Sequence, residues 1–217
     1  MLSANAIVEL HERLTRAWHF SQDDSGTLSS PDRDKEKVLS DGEGDFLGRV
    51  ARQHRANFDL WHIEDEARTP GATDSALADV KRRIDATNQL RNDLAEDLDR
   101  ALMDWLAPQG LPNREAPLHS ESPGLMIDRL SILALKIYHT GEECERTGAA
   151  EGHAERNRDR LCILEVQRAD LAACLEALWR ETLAGTRRFK VYRQLKMYND
   201  PSLNPAIYRK PAHGARH

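Results

Sequence analysis

Apolar residues recur along this chain at steps of three and four, the spacing that lines one face of an α-helix. Ile7, Leu10, Leu14 and Trp18 repeat in this way with Ser3 ahead of them as an N-cap, which predicts a helix over residues 3–20. A second periodic segment opens at Phe46, with Asp45 as its cap, and stops at Thr69-Pro70-Gly71. A third, capped by Asp74, runs to Leu106 before Pro108, Gly110 and Pro112 break it. Its seam reads Leu77, Val80, Ile84, Thr87, Arg91, Leu94, Leu98, Ala101 and Trp105. Ser122 as cap and Pro123 at the first helical position open a fourth helix, which Thr140-Gly141 closes. After a Gly-containing break at 147–153 comes a long fifth helix, Ala154 to Ala184, carrying Leu161, Leu164, Arg168, Leu171, Leu175 and Leu178. A short basic helix is expected near 187–198, followed by the turns Asn199-Asp200-Pro201 and Asn204-Pro205. No stretch alternates as a strand would. The predicted fold is all-α: a helical bundle of about five main helices plus a short basic C-terminal helix.

Residues 21–45 interrupt this pattern. They are rich in Ser, Asp and Gly and too poor in apolar side chains to offset the entropy of ordering, so a flexible loop is expected there. The organisation read from the chain is an N-terminal helix (1–20), an acidic loop (21–45), a helical bundle domain (46–208) and a tail (209–217). The length of 217 residues suffices for one full hydrophobic core without disulfide or metal staples. Three cysteines, Cys144, Cys162 and Cys174, lack C-x-x-C spacing and are read as reduced thiols. No apolar run reaches the roughly 18 residues of a membrane span, and residues 1–20 lack the basic start and apolar block of a signal peptide. A cytoplasmic protein with no membrane association is therefore expected.

The net charge of −5 conceals an uneven distribution. Eight acids face three bases within 21–45, whereas the tail from Arg187 onward carries eight bases against Asp200 alone. That basic end, interleaved with Phe189, Tyr192, Tyr198 and Tyr208, would steer anions toward it. With a pI near 6.0 the chain does not read as a nucleic-acid binder.

Several motifs are missing. There is no G-x-x-x-x-G-K, H-E-x-x-H or G-x-S-x-G, and no E-x-x-H of the kind from which di-iron bundles build their site. What stands out instead is an arginine in each of two apolar seams, Arg91 and Arg168. An enclosed, unpaired guanidinium costs several kcal/mol, so each must snorkel out, pair with a carboxylate, or meet an anionic ligand. On helix four, Asp128, Arg129, Lys136 and His139 fall within one arc. Asp128 and His139 stand roughly 16 Å apart along the axis, too far to share a metal but suited to bracketing a ligand. On helix two, Glu64 and Arg68 form an i,i+4 pair, and His62, Glu64 and Asp65 are either a hydrogen-bonded structural cluster or a place for a proton or a divalent ion.

Four blocks resemble a known family in order along the chain. They are Asn57 to Arg68, Lys81 to Asp93, Ser120 to Leu133 and Lys196 to Pro205, and they are similar to the bacterial family catalogued as domain of unknown function 4254, over roughly residues 46–208. Members are often encoded beside glycosyltransferases of surface-polysaccharide pathways, which implies a phosphorylated sugar or nucleotide sugar as ligand. On that basis Arg91, Arg168 and Lys196 are expected to neutralise phosphate, with Arg68 and Asn199 completing the ligand-binding set. Asp128, with Glu64 or His139, is the expected acid–base group. No cofactor and no metal are expected. The alternative is a non-catalytic module that docks on a glycosyltransferase or self-associates as a homo-oligomer.

Overall fold

The computed structural model describes residues 3–23, 43–193, 195 and 202–204. It is an all-α bundle of five helices: α1 (Ala4–Asp23), α2 (Glu43–Glu66), α3 (Asp74–Leu106), α4 (Pro123–Glu145) and α5 (His153–Leu183). No strand occurs among the described residues, and no helix there is long and apolar enough to cross a membrane. The acidic stretch expected as a loop lies largely outside the described residues.

Contacts between named side chains give each helix its direction. Ala4 N–H bonds to Glu176 at 2.9 Å and Arg168 pairs with Glu12, so α1 and α5 run antiparallel. Arg49 meets Asp97 at 2.6 Å while Glu66 meets Arg83 at the other end, so α2 and α3 also oppose one another. Between α1, α2 and α4 the order is different. Thr15, His54 and Ser131 share one level, and His19, His62 and His139 share the next. These three helices therefore run the same way, with their C-terminal ends together.

α4 is the central helix, packed against all four others. Its start is pinned by Ser122, whose Oγ accepts from Leu125 N–H, and by Pro123, whose missing N–H has no helical partner to lose. Ser122 Oγ–H also donates to Asp99 on α3, and Gly124 N–H donates to the same carboxylate at 2.6 Å. A Cβ at Gly124 would stand 2.2 Å from the Ala95 carbonyl oxygen, so only glycine lets α4 start this close to α3. Burial pushes the Asp99 carboxyl up to about 6, against the opposing pull of the Ser122 and Gly124 hydrogen bonds. The main core lies between Ile7 and Leu10 of α1, Leu98, Leu102 and Leu106 of α3, Met126, Ile127 and Leu130 of α4, and Leu175, Leu178 and Trp179 of α5. A smaller cluster of Leu60, Ile63 and Ile84 closes the far end of the α2–α3 pair.

Several local expectations need correction. The cap of α3 is Thr73, which accepts from Ala76 N–H, and Asp74 is already helical. Asp45 lies inside α2 and pairs with Arg49. α4 continues through Gly141 to Glu145. The seam of α3 drifts: Leu77 and Trp105 are 39% and 47% exposed, while Ala95, Leu102 and Leu106 are buried. A strict seven-residue repeat falls behind a 3.6-residue helix by about 20° per heptad, so over this length the inward face moves to later positions.

The basic C-terminal helix is not formed over residues 187–193, which carry no helix. Gly185, at φ +71°, ends α5, and Thr186 and Arg187 bond back to the Glu181 carbonyl. Arg188 N–H then bonds to Pro117 O and His119 N–H to Arg188 O, a parallel bridge between Leu118 and Arg188. This pairing takes the backbone groups a helix would need and carries Phe189, 1% exposed, into the core.

Candidate functional site

Two polar layers lie between α1, α2 and α4, one above the other. The inner layer begins at Asp128 of α4, 6% exposed. Its Oδ1 accepts from Arg91 Nε at 2.7 Å, Gln53 Nε2 at 2.6 Å and Asn57 Nδ2 at 3.0 Å, and its Oδ2 accepts from the other fork of Arg91. The guanidinium, held above its ordinary value by these bonds, has its charge matched by the protein's own carboxylate. Asn57 Nδ2 also donates to Ser131 Oγ at 2.9 Å. The Ser131 hydroxyl hydrogen is thereby free for His54 Nδ1, 2.7 Å away. His54 then carries its proton on Nε2 and donates to Thr15 Oγ1 at 2.9 Å. Burial drives the His54 pKa down to about 3, so the ring is neutral. Its neighbour His11, with ring centroid 4.5 Å away, is pushed well down by the same cause, and neither of its nitrogens is bonded among the described residues.

The outer layer is a cluster of three histidines, one from each of the parallel helices: His19, His62 and His139. In each ring Nδ1 is committed. His19 Nδ1–H donates to Thr15 O at 2.7 Å, and His62 Nδ1–H donates to Phe58 O at 2.8 Å, both one turn back in their own helices. His139 Nδ1–H donates to Glu142 Oε2 at 2.8 Å. An acceptor at Nδ1 fixes the tautomer that leaves the lone pair on Nε2. The Nε2 atoms of His19 and His139 are buried without a partner among the described residues. One nitrogen from each ring lies within 4.8 Å of the other two. Desolvation, reinforced by the nearby His139 and His62, lowers the His19 pKa, so this ring too favours its neutral form. Aromatic neighbours set the ring planes: Tyr138 stacks on His19 at 4.2 Å and Trp61 on His139 at 4.8 Å.

This is a donor set for a borderline metal ion. Three imidazoles, each with Nδ1–H held by a carbonyl or carboxylate, can supply three ligands and leave a fourth position open. Around a tetrahedral zinc with bonds of about 2.0–2.1 Å the nitrogens would stand about 3.3 Å apart, inside the 4.8 Å that bounds them here. The C-terminal ends of three helices converge at this level, and their partial negative charge favours a cation.

The expected site residues are scattered by comparison. Arg91 and Asp128 form the inner ion pair. Arg168 pairs with Glu12 of α1, outside both layers. Glu64 and Arg68 form an exposed pair at 3.4 Å, and Asp65 is exposed beside them. His139 joins the histidine cluster. Lys196 and Asn199 lie outside the described residues. Of the trio His62, Glu64 and Asp65, His62 alone belongs to the cluster. Sequence reasoning overlooked Thr15, His19, His54 and Ser131. A signal for them existed: His11, Thr15 and His19 on one helix, and His54, Phe58 and His62 on the next, recur every four residues along one face.

A family described as "Protein of unknown function (DUF4254)" matches residues 48–191. No curated protein and no solved structure matches the chain.

Proposed function

The chain belongs to the DUF4254 family, whose description names no activity, and from its side-chain geometry we propose that it binds a divalent transition metal ion, Zn²⁺ foremost, through His19, His62 and His139. The observation that carries this reading is the set of three rings with Nδ1 bonded to an acceptor and one nitrogen of each within 4.8 Å of the other two. His54, which joins helices, has partners at both nitrogens, whereas among the described residues His19 and His139 each keep an unpaired Nε2 in a group of three imidazoles. All-nitrogen ligation suits Zn²⁺, Co²⁺, Ni²⁺ or Cu²⁺ and disfavours Mg²⁺ and Ca²⁺, which take oxygen donors. Three protein ligands with one position open is the pattern of catalytic zinc sites, where the ion supplies Lewis acidity. Glu142 gives His139 the carboxylate backing that raises ligand basicity.

A phosphorylated sugar held by Arg91 and Arg168 draws no support from this arrangement, since each guanidinium already has a carboxylate of the chain. The test is titration of chelator-treated protein with Co²⁺ and Zn²⁺, read by visible absorption and calorimetry. One ion per chain is expected, with affinity reduced at least tenfold in each of His19→Ala, His62→Ala and His139→Ala. No binding, or binding unchanged when all three are replaced, refutes the reading.

A further inference from the structure

Three ligands borne on three separate helices pose a mechanical problem. Apolar packing is non-directional and lets one helix slide against another at small cost. A hydrogen bond does not, since its geometry is lost within a fraction of an ångström. A metal site needs its donors placed within about 0.5 Å, so something must hold α1, α2 and α4 in register.

The inner layer has the right connections for this. Thr15 belongs to α1, His54 to α2 and Ser131 to α4, the same three helices that carry the histidine ligands. His54 binds one partner on each neighbour through its two ring nitrogens, at 2.9 Å and 2.7 Å, so one planar side chain fixes two helix–helix distances at once. Thr15 stands one turn before His19, and its carbonyl is also the acceptor for His19 Nδ1–H. The same residue thus touches the inner ring with its hydroxyl and the outer ring with its backbone. His54 and Ser131 each lie eight residues before the ligand of their own helix, about 12 Å along the axis. Asn57 ties Ser131 onward to Asp128, which carries the register to Arg91 of α3.

We infer that His54, bridging Thr15 and Ser131, is the positioning residue of the three-histidine site and sets the affinity for the metal without touching it. This rests on the metal reading above. It separates His54 from the other buried polar pin of the bundle, Asp99 with Ser122 and Gly124, which joins α3 to α4 and reaches neither α1 nor α2.

The experiment uses the full chain and Co²⁺ as probe, with affinity from the visible spectrum and apo stability from thermal unfolding. His54→Ala is expected to weaken Co²⁺ binding by about 10–100-fold, the range for residues supporting a ligand from behind. Because that variant leaves a cavity and can fail to fold, two substitutions at nearly constant volume accompany it: Thr15→Val removes the bond to His54, and Ser131→Ala removes the bonds to His54 and Asn57, with about tenfold weaker binding expected of either. Thr15→Ser keeps the hydroxyl and should retain wild-type affinity. Asp99→Asn is the control: it lowers apo stability but should leave Co²⁺ affinity within about twofold. Thr15→Val and Ser131→Ala within twofold of wild type would overturn the proposal while the metal site stands. Equal weakening in Asp99→Asn would overturn it as well, because affinity would then follow global stability. A wild-type chain that takes up no Co²⁺ overturns both this inference and the metal reading.

Discussion

The two histidine layers between α1, α2 and α4 are built from the same residue type on the same helices, yet they differ in what is left over. In the inner layer the bridging ring, His54, is bonded at both nitrogens, and the chain of donors from Asn57 through Ser131 to Thr15 runs in one direction, while His11 beside it is held by no hydrogen bond among the described residues. In the outer layer each ring is bonded at Nδ1, and two of the remaining nitrogens are buried with no partner among the described residues. A polar group closed upon itself holds a fold together. A polar group held in place but unfinished calls for a partner from outside the chain.

The sharpest way to break the comparison is to cut the inner layer at its anchor. Asp128→Ala removes the acceptor of Arg91, Gln53 and Asn57, and a loss of about 3–5 kcal/mol is expected from urea unfolding, the range for orphaning a buried ion-pair partner. None of His19, His62 and His139 should approach that cost in the metal-free chain, because each is only partly buried. Their effect should appear when metal is added. Zn²⁺ at about one hundred times its dissociation constant should stabilise the wild type by about 2.7 kcal/mol, and the chain lacking all three imidazoles by nothing measurable.

Acid acts with opposite signs on the inner histidine layer and on the Asp99 pin between α3 and α4. Native His54 titrates near 3 and its unfolded counterpart near 6.5, so below about pH 6.5 the unfolded chain takes up a proton that the folded chain refuses. Stability should fall on acidification toward pH 3, by about 1.4 kcal/mol per pH unit for each such imidazole, with His11 acting in the same direction. Asp99 opposes this. With its native value near 6 against 3.8 for the free side chain, the folded form holds the extra proton, and stability rises as pH falls through that window. Asp99→Asn should therefore steepen the acid loss measured by urea unfolding of metal-free protein between pH 6 and 4. The smallest effect concerns Glu142. Glu142→Gln keeps an acceptor for His139 but removes the charge, and about tenfold weaker Zn²⁺ binding, about 1.4 kcal/mol, is expected by calorimetry.

Much of the architecture was readable from spacing. The Ser122-Pro123 start of α4 and the apolar rows of α1 and α5 announce themselves, because capping chemistry and the 3.6-residue period are local properties. The failures lie where a local rule met a distant partner. Residues 187–193 have the composition of a basic amphipathic helix, but the backbone at Pro117 and His119 claims their hydrogen bonds and the core claims Phe189. The seam of α3 reads as a fixed heptad, but its neighbours follow the true period and bury Leu106 in place of Trp105.

The candidate site divides along the same line. By itself the sequence determined that the chain is helical, that Arg91 and Arg168 interrupt apolar rows and need negative company, and that His62 and His139 lie on separate helices. Which carboxylates answer the arginines, and that His19 joins those two histidines, only the tertiary structure decided. The physical reason is the distance along the chain. Periodicity reports which face a side chain occupies, but the level at which three helices stand beside one another depends on their packing, and the cluster exists only because α1, α2 and α4 run in the same direction with their ends aligned.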